Sequence, residues 1–199
     1  MLRRLDLGCR LHGERDAIGV CPAETPRGGV RADYARGLPF RDDSIDEIYA
    51  YHVLEYVEDF PGLMEEIWRV ARPNAMIYLR VPHASSVFPH ATDPRRRRAF
   101  TIQTFRHYAP GAPRPFNGSR ARFEIELARL YFVAPWEERT QTPRLMKRLA
   151  RNFLEGAANR SPSAQYLCER WWGRLAGFEE AFVALRTVKP DTQSLLAQL

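Results

Sequence analysis

The sequence is short of cysteine, of lysine and of long apolar runs, and each shortage removes a class of protein. Its three cysteines, Cys9, Cys21 and Cys168, are too few and too scattered for a disulfide framework or a zinc ribbon, so a reducing cytoplasm is the expected compartment. No apolar stretch approaches the ~18 residues of a membrane span. Met1-Leu-Arg-Arg is a charged start, but Asp6 and Gly8 interrupt the apolar run that a signal peptide would need. Lysine occurs only at Lys147 and Lys189, so the net charge of +6 is carried by arginine. Arginine-rich codon usage would explain that bias, and so would attraction to an acidic partner. No nucleic-acid-binding module accompanies the charge, and nucleic acid is not an expected partner.

What is present reads as one domain over 1–199, long enough to bury a sizeable core. The stretch from Gly37 to His83 organises it. Asp42, Asp43 and Ser44 punctuate before a short apolar strand through Ile48-Tyr49-Ala50-Tyr51. From Gly62, the residues Leu63, Met64, Ile67, Trp68, Val70 and Ala71 recur at helical spacing, with Glu65, Glu66, Arg69 and Arg72 between them. Pro73-Asn74 predicts a stop, and Ala75 to Val81 a strand covered on both faces. Strand, helix and strand of this length form a right-handed parallel crossover. Upstream, Leu5 to Cys9, Ala17 to Cys21 and Val30 to Asp33 read as three further strands, the first ending in a glycine turn. Downstream, Ala84 to Arg98 is an irregular loop with four consecutive arginines, and Thr101 to Tyr108 is a short helix. Phe123 to Val133 is a strand, Arg144 to Glu155 and Ser163 to Leu175 are helical, and Ala181 to Val188 is a last strand. The order predicts an open, doubly wound α/β sheet. Ligands of such sheets bind outside the carboxyl ends of the strands, where strand order reverses.

With those strand ends laid out, the chain resembles the class I S-adenosylmethionine-dependent methyltransferases, in particular a small methyltransferase-domain type. The residues that carry the likeness are Leu5-Asp6-Leu7-Gly8-Cys9, Gly19-Val20, Leu38-Pro39-Phe40, Asp43-Ser44-Ile45-Asp46, His52-Val53-Leu54-Glu55, Glu66-Ile67-Trp68-Arg69-Val70 and Val81-Pro82-His83. Asp93-Pro94, Phe100-Thr101 and Gly177-Phe178-Glu179-Glu180 extend it over most of the chain. The resemblance implies a Rossmann-like, mostly parallel sheet with an antiparallel last strand, and a helical insertion over roughly 143–176 before that strand. It implies S-adenosylmethionine as cofactor and a small-molecule methyl acceptor.

In such a protein Asp6, Gly8, Cys9 and Arg10 would cradle the methionine end, since small residues let backbone amides approach a carboxylate. Asp6 would support that turn from below, or be an ordinary strand-end acid. The position after the second strand should carry an acid that accepts from both ribose hydroxyls. Cys21 stands there, with Glu24 as a nearby substitute. Asp33 would accept from the adenine amino group, with Tyr34 against the ring. His52 would face the reacting sulfur, unless it is a satisfied core histidine. Arg10, where the family has a second glycine, is the other departure, and Asn74-Ala75 and Tyr56 are softer ones.

His90 and Asp93, after the fifth strand, are candidates for a general base. The spacing of His83, His90, Asp93 and His107 matches no helical or hairpin metal motif, and no metal is expected. Arg95 to Arg98 is either a solvated run or a clamp for an anionic acceptor; Arg96 stands where related sequences have the histidine of DPTH. Tyr166, Trp171 and Trp172 suggest core or an oligomer contact, such as a homodimer. Two functions follow: methyl transfer to an oxygen or nitrogen of a small acceptor, anionic if Arg95 to Arg98 clamps it, or a methyltransferase-fold binding subunit with weak or lost cofactor binding.

Overall fold

The computed structural model describes residues 2–8, 16–22, 29–86, 93–112, 118–132, 145, 149–172 and 177–190. Seven strands form one sheet: β1 (Arg4–Asp6), β2 (Ile18–Cys21), β3 (Val30–Arg31), β4 (Ile45–Tyr51), β5 (Ala71–Pro82), β6 (Phe123–Tyr131) and β7 (Glu180–Thr187). Their order is β3-β2-β1-β4-β5-β7-β6. Strands β3, β2, β1, β4 and β5 pair in parallel, and β7 runs antiparallel to both β5 and β6. The last strand is therefore the one reversed strand, as the resemblance implied.

One face of the sheet's centre is apolar and closed: Ile48, Ala50, Ile77, Leu79, Val81, Val183 and Leu185 share it and are all inaccessible to solvent. The other face carries Tyr78, Arg80 and Phe182, which are half-buried, so β5 is not fully covered on both faces as its apolar run suggested. Helix α1 (Phe60–Val70) covers one face through Leu63, Met64, Ile67 and Val70. Asp59 caps it by accepting from Gly62 N at 2.9 Å, and Pro61 sits in the first turn, where no amide is needed. The helix starts two residues earlier than its periodicity suggests, because the cap and the proline precede the apolar stripe.

At its other end α1 gives way directly to β5. The Pro73-Asn74 punctuation lies inside that strand, not between helix and strand. Ala71 already pairs with Ile45, and the register then shifts before Met76 faces Glu47. Asn74 absorbs the excursion at φ +64, a conformation asparagine tolerates better than most residues. Gly37, at φ +91, turns the chain beneath α1, and a Cβ there would lie 3.0 Å from Glu66 Oε2. Glu66 accepts from Leu38 N at 2.8 Å and pairs with Arg69 at 2.8 Å, while Arg69 also donates to the Leu38 and Phe40 carbonyls. The approach to β4 is thereby pinned to the helix.

Helix α2 (Ile102–Arg106) follows β5, and its Phe105 stacks on Phe100 against Phe60. The insertion between β6 and β7 contains helix α3 (Gly156–Ala158), preceded by a π-helical turn over Ala150–Glu155. Helix α4 (Pro162–Leu167) continues as a π-helical turn over Cys168–Trp172. Its side chains close part of the free edge of β6. Asn159 pairs with both the amide and the carbonyl of Leu130 at 2.8 Å, Glu155 accepts from Phe132 N, and Gln165 donates to Ala128 O. An edge strand covered in this way is a poor template for unwanted pairing.

Candidate functional site at the carboxyl edge of the sheet

Strand order reverses between β1 and β4, so the crevice expected of an open α/β sheet lies where Leu7-Gly8 and Tyr51-His52 end side by side. Leu7 N donates to Tyr49 O, which continues the β1–β4 pairing to the rim. Gly8 N donates to Asp6 Oδ1 at 2.8 Å, so Asp6 braces the turn from below. A Cβ at Gly8 would stand 3.2 Å from that oxygen and 3.3 Å from Tyr51 O. This turn is closed to side chains and open to a ligand's approach along the backbone. Cys9 and Arg10, which the sequence places in the same turn, lie outside the described residues, as does Glu24.

On the β2–β3 side, Cys21 is buried at the end of β2 and is disulfide-bonded, while Cys168 carries a free thiol. Cys21 therefore offers no carboxylate, and no thiol hydrogen, at the ribose position. Asp33 follows β3 with its carboxylate 56% exposed and 3.7 Å from Arg36. Tyr34 is packed inward. Its hydroxyl donates to Leu7 O and lies 3.1 Å from Val20 O, and burial, aided by the Asp6 carboxylate, pushes the phenol well above its ordinary range. Tyr34 is thus a brace across the ends of β1 and β2.

At the end of β4, His52 adopts φ +55, a left-handed conformation that costs a non-glycine residue about 1–2 kcal/mol. Its amide donates to Arg80 O at 3.0 Å, which fixes the ring in position. Nδ1 lies 3.3 Å from Glu55 Oε1 and Nε2 lies 3.6 Å from Glu180 Oε1. Both carboxylates are essentially inaccessible, whereas the imidazole remains 26% exposed toward the crevice. Burial pulls the imidazole pKa down, but the hydrogen bond to Glu55 and the charges of Glu180 and Glu55 outweigh it, and the net direction is up. Strain of this kind persists where surrounding structure over-determines it, often at functional sites.

Beyond β5, His83 is fully buried between Ser85 and Glu169, with Nδ1 2.7 Å from Ser85 Oγ and Nε2 3.1 Å from Glu169 Oε1. Because the Ser85 amide also donates to Nδ1, the proton sits on Nε2 and points at Glu169. Glu169 in turn accepts from Ile102 N at 2.6 Å. The cluster ties the helical insertion to the end of β5. His90 lies outside the described residues. The Asp93 carboxylate binds Arg95 Nη2 at 2.8 Å and accepts from Tyr56 Oη at 3.0 Å. The Arg95 side chain and amide, with Tyr56, hold Asp93 well below the usual carboxylate range. That is the geometry of an anchor for Arg95, and it makes a weak proton acceptor.

Within the arginine run Arg95 and Arg97 are exposed, while Arg96 and Arg98 are half-buried. Arg95 pairs with Asp93, Arg97 approaches Glu58 at 3.6 Å and Arg98 reaches Glu58 O. Arg96 Nε meets Tyr56 Oη at 3.3 Å. Arg96 and Tyr56, the two positions where this chain departs from the family's histidines, are therefore partners. Arg96 Nη1 is buried without a hydrogen-bond partner among the described residues, and its charge is felt at His52. Sequence reasoning missed Glu180 as part of this site; its one signal was an acid at the head of a strongly apolar strand.

Residues 12–79 match the sequence model of the methyltransferase-domain family. No curated protein matches the sequence. Among solved structures, an S-adenosylmethionine-dependent methyltransferase from Archaeoglobus fulgidus superposes with a TM-score of 0.57 at 14% identity, over 93% of this chain and 86% of that one. A chain from the complex of the Haloferax volcanii Trm112 methyltransferase activator with a methyltransferase gives 0.56 at 17%, over 94% and 83%. The cyclase SpnF gives 0.55 at 17%, over 95% and 75%. The fold is the one these methyltransferases share, and the Archaeoglobus fulgidus protein among them is S-adenosylmethionine-dependent.

The site's fit to that cofactor is uneven. Held as the resemblance implies, the cofactor would meet the tight turn at Gly8 with its methionine end and the exposed carboxylate of Asp33 with its adenine end, while Cys21 offers its ribose hydroxyls no acid. Two charge-assisted hydrogen bonds are worth about 3 kcal/mol, or a hundredfold in affinity. With reductant present throughout, Cys21→Asp is expected to tighten S-adenosylmethionine binding by at least about tenfold in a calorimetric titration. An unchanged affinity would remove the ribose argument.

Proposed function

We propose that this chain transfers a methyl group from S-adenosylmethionine to an oxygen or nitrogen atom of a small anionic acceptor. The observation that carries the anionic part is Arg96, whose buried Nη1 has no hydrogen-bond partner among the described residues and whose guanidinium is oriented by Tyr56. A buried guanidinium nitrogen left unpaired is costly, and a carboxylate or phosphate oxygen would satisfy it.

The cofactor supplies a methyl carbon made electrophilic by its sulfonium. The chain supplies position and proton management. Asp6 holds the Gly8 turn, Asp33 is the hydrogen-bond acceptor at the end of β3, and Tyr34 keeps the ends of β1 and β2 apart at fixed spacing. Aligning acceptor and methyl carbon is the larger part of catalysis in such a reaction. His52 is the group best placed to take the acceptor's proton, because Glu55 and Glu180 stabilise the imidazolium that results. The rate should therefore rise with pH as His52 loses its resting proton, through a pKa lifted above the ordinary value.

The experiment is transfer of labelled methyl from S-adenosylmethionine to a panel of small carboxylates and phosphates, with Arg96→Gln beside the wild type. The expected result is an acceptor KM raised at least about tenfold with kcat nearly unchanged, the loss of one charge-assisted contact. Equal KM values would sink the role of Arg96. A second reading, a methyltransferase-fold protein without the cofactor, is favoured by the disulfide-bonded Cys21 at the ribose position. Labelled product from any acceptor excludes it.

A further inference from the structure

The cover over the free edge of β6 has a gap. Along an antiparallel strand the backbone groups of successive residues point alternately toward and away from the partner. Val188 N donates to Arg122 O at 2.9 Å, so Arg122 and Glu124 face β7, while Phe123 and Ile125 face outward. The bulge between Ile125 and Leu127 shifts the alternation by one, and Ala128 and Leu130 face outward beyond it. On either side of the gap the outward groups are met. Phe123 N donates to Tyr108 O, Ala128 O accepts from Gln165, Leu130 pairs twice with Asn159, and Phe132 N donates to Glu155. Among the described residues nothing meets the outward N–H and C=O of Ile125. Unpaired groups on an edge strand are a template for another strand.

A cleft of about 800 Å³ opens against this stretch of edge, lined by α2, by β6 and by residues 159–162 ahead of and entering α4. Ile102, Ile125 and Leu127 give it an apolar lining, and Leu127 is 44% exposed. The cleft lies toward the Phe123 end of β6, away from Tyr131, which pairs with Glu180 beside His52. It takes no part in the proposed methyl transfer.

Charge narrows the occupant. The two acids of the lining, Glu124 and Glu126, are both taken up by Arg186, which also donates to Asn74. Arg106 on α2 and Arg160 ahead of α4 line the same cleft, are exposed, and make no ion pair among the described residues. The charge left over for a ligand is therefore positive. A small anion alone would satisfy the arginines and leave the Ile125 amide and carbonyl unmet. A ligand with a main-chain edge and carboxylates satisfies both.

We propose that this cleft binds an extended acidic peptide segment of a partner protein, which adds a short strand at Ile125 and turns its carboxylates toward Arg106 and Arg160. Main-chain pairing supplies the docking, and the two arginines supply the preference for acidic sequence.

The test is titration of the full chain with labelled peptides of about seven residues that alternate glutamate with valine, read by fluorescence anisotropy and amide hydrogen exchange. Lysine counterparts and fully N-methylated glutamate peptides are the controls. The glutamate peptides are expected to bind and to slow exchange at the Ile125 amide by at least about tenfold, whereas neither control binds. Arg106→Glu/Arg160→Glu changes two exposed positions, and it is expected to weaken the glutamate peptides at least about tenfold and to bind the lysine peptides instead. Equal binding by wild type and variant would overturn the proposal, and so would binding that survives N-methylation. Absence of binding by every peptide at millimolar concentration would also overturn it. So would protection of Ile125 that rises with protein concentration alone, which would assign the edge to a second copy.

Discussion

Replacing His52 with alanine is expected to cost the folded state about 3–5 kcal/mol near neutral pH, the scale seen when one partner of a buried charge cluster is removed. Glu55 and Glu180 are inaccessible, and His52 stands between them within 3.3 Å of one and 3.6 Å of the other. Without the imidazole, the two buried carboxylates lose the cation that stands between them. The backbone adds a smaller, separable effect. At φ +55 a glycine is unstrained, so His52→Gly should recover about 1 kcal/mol relative to His52→Ala.

The pH dependence has a definite sign. The pKa of His52 is raised in the folded state, so its stabilising contribution is fully present below the unfolded value, about 6.5, and is lost as pH rises through the folded value. The difference between wild type and His52→Ala should therefore shrink on the alkaline side. Urea denaturation from neutral to alkaline pH reads that loss, and a difference flat with pH would contradict the imidazolium assignment.

Phe60→Ala should cost a comparable amount, about 3–5 kcal/mol, by a different route. Phe60 is 3% exposed and meets Phe100, Phe105 and Tyr108 edge-on, with ring centres 5.2, 6.3 and 6.1 Å away. The cluster seats α2 and the segment after β5 against the start of α1. Phe100 forms the bridge partner of His83, so the cavity would open beneath the carboxyl edge of the sheet. Phe60→Leu, which fills most of the volume, should cost less than half as much. A loss under about 1 kcal/mol for the alanine variant would mean that the aromatic cluster is not the support it resembles.

These two sites show which parts of the protein could be read in advance. The strands, α1 and the reversal between β1 and β4 were legible, because each rests on periodicity within one short segment. Asp6, Gly8 and His52 were legible as a set because their strand ends are defined by the same patterns. The rest was hidden by distance along the chain. Glu180 joins His52 only because β7 lies beside β5; Glu169 meets His83 across 86 residues, and Arg96 meets Tyr56 across 40. The arginine run looked uniform in sequence, yet Arg95 goes to Asp93, Arg96 to Tyr56, and Arg97 and Arg98 both to Glu58. Tyr34 looked like an adenine platform from its place after β3, and packing instead sent its hydroxyl to the backbone of β1 and β2. Helical spacing left Trp171 as core or an oligomer contact, because it cannot distinguish a buried stripe from an exposed one, and the side chain is exposed.

The central claim, that this chain still uses the cofactor of its fold, is tested most directly by calorimetric titration of the wild-type protein with S-adenosylmethionine. Saturable binding is expected, weaker than an intact ribose anchor would give and tightened by Cys21→Asp. Absence of any heat of binding at millimolar cofactor, in both wild type and variant, would contradict it.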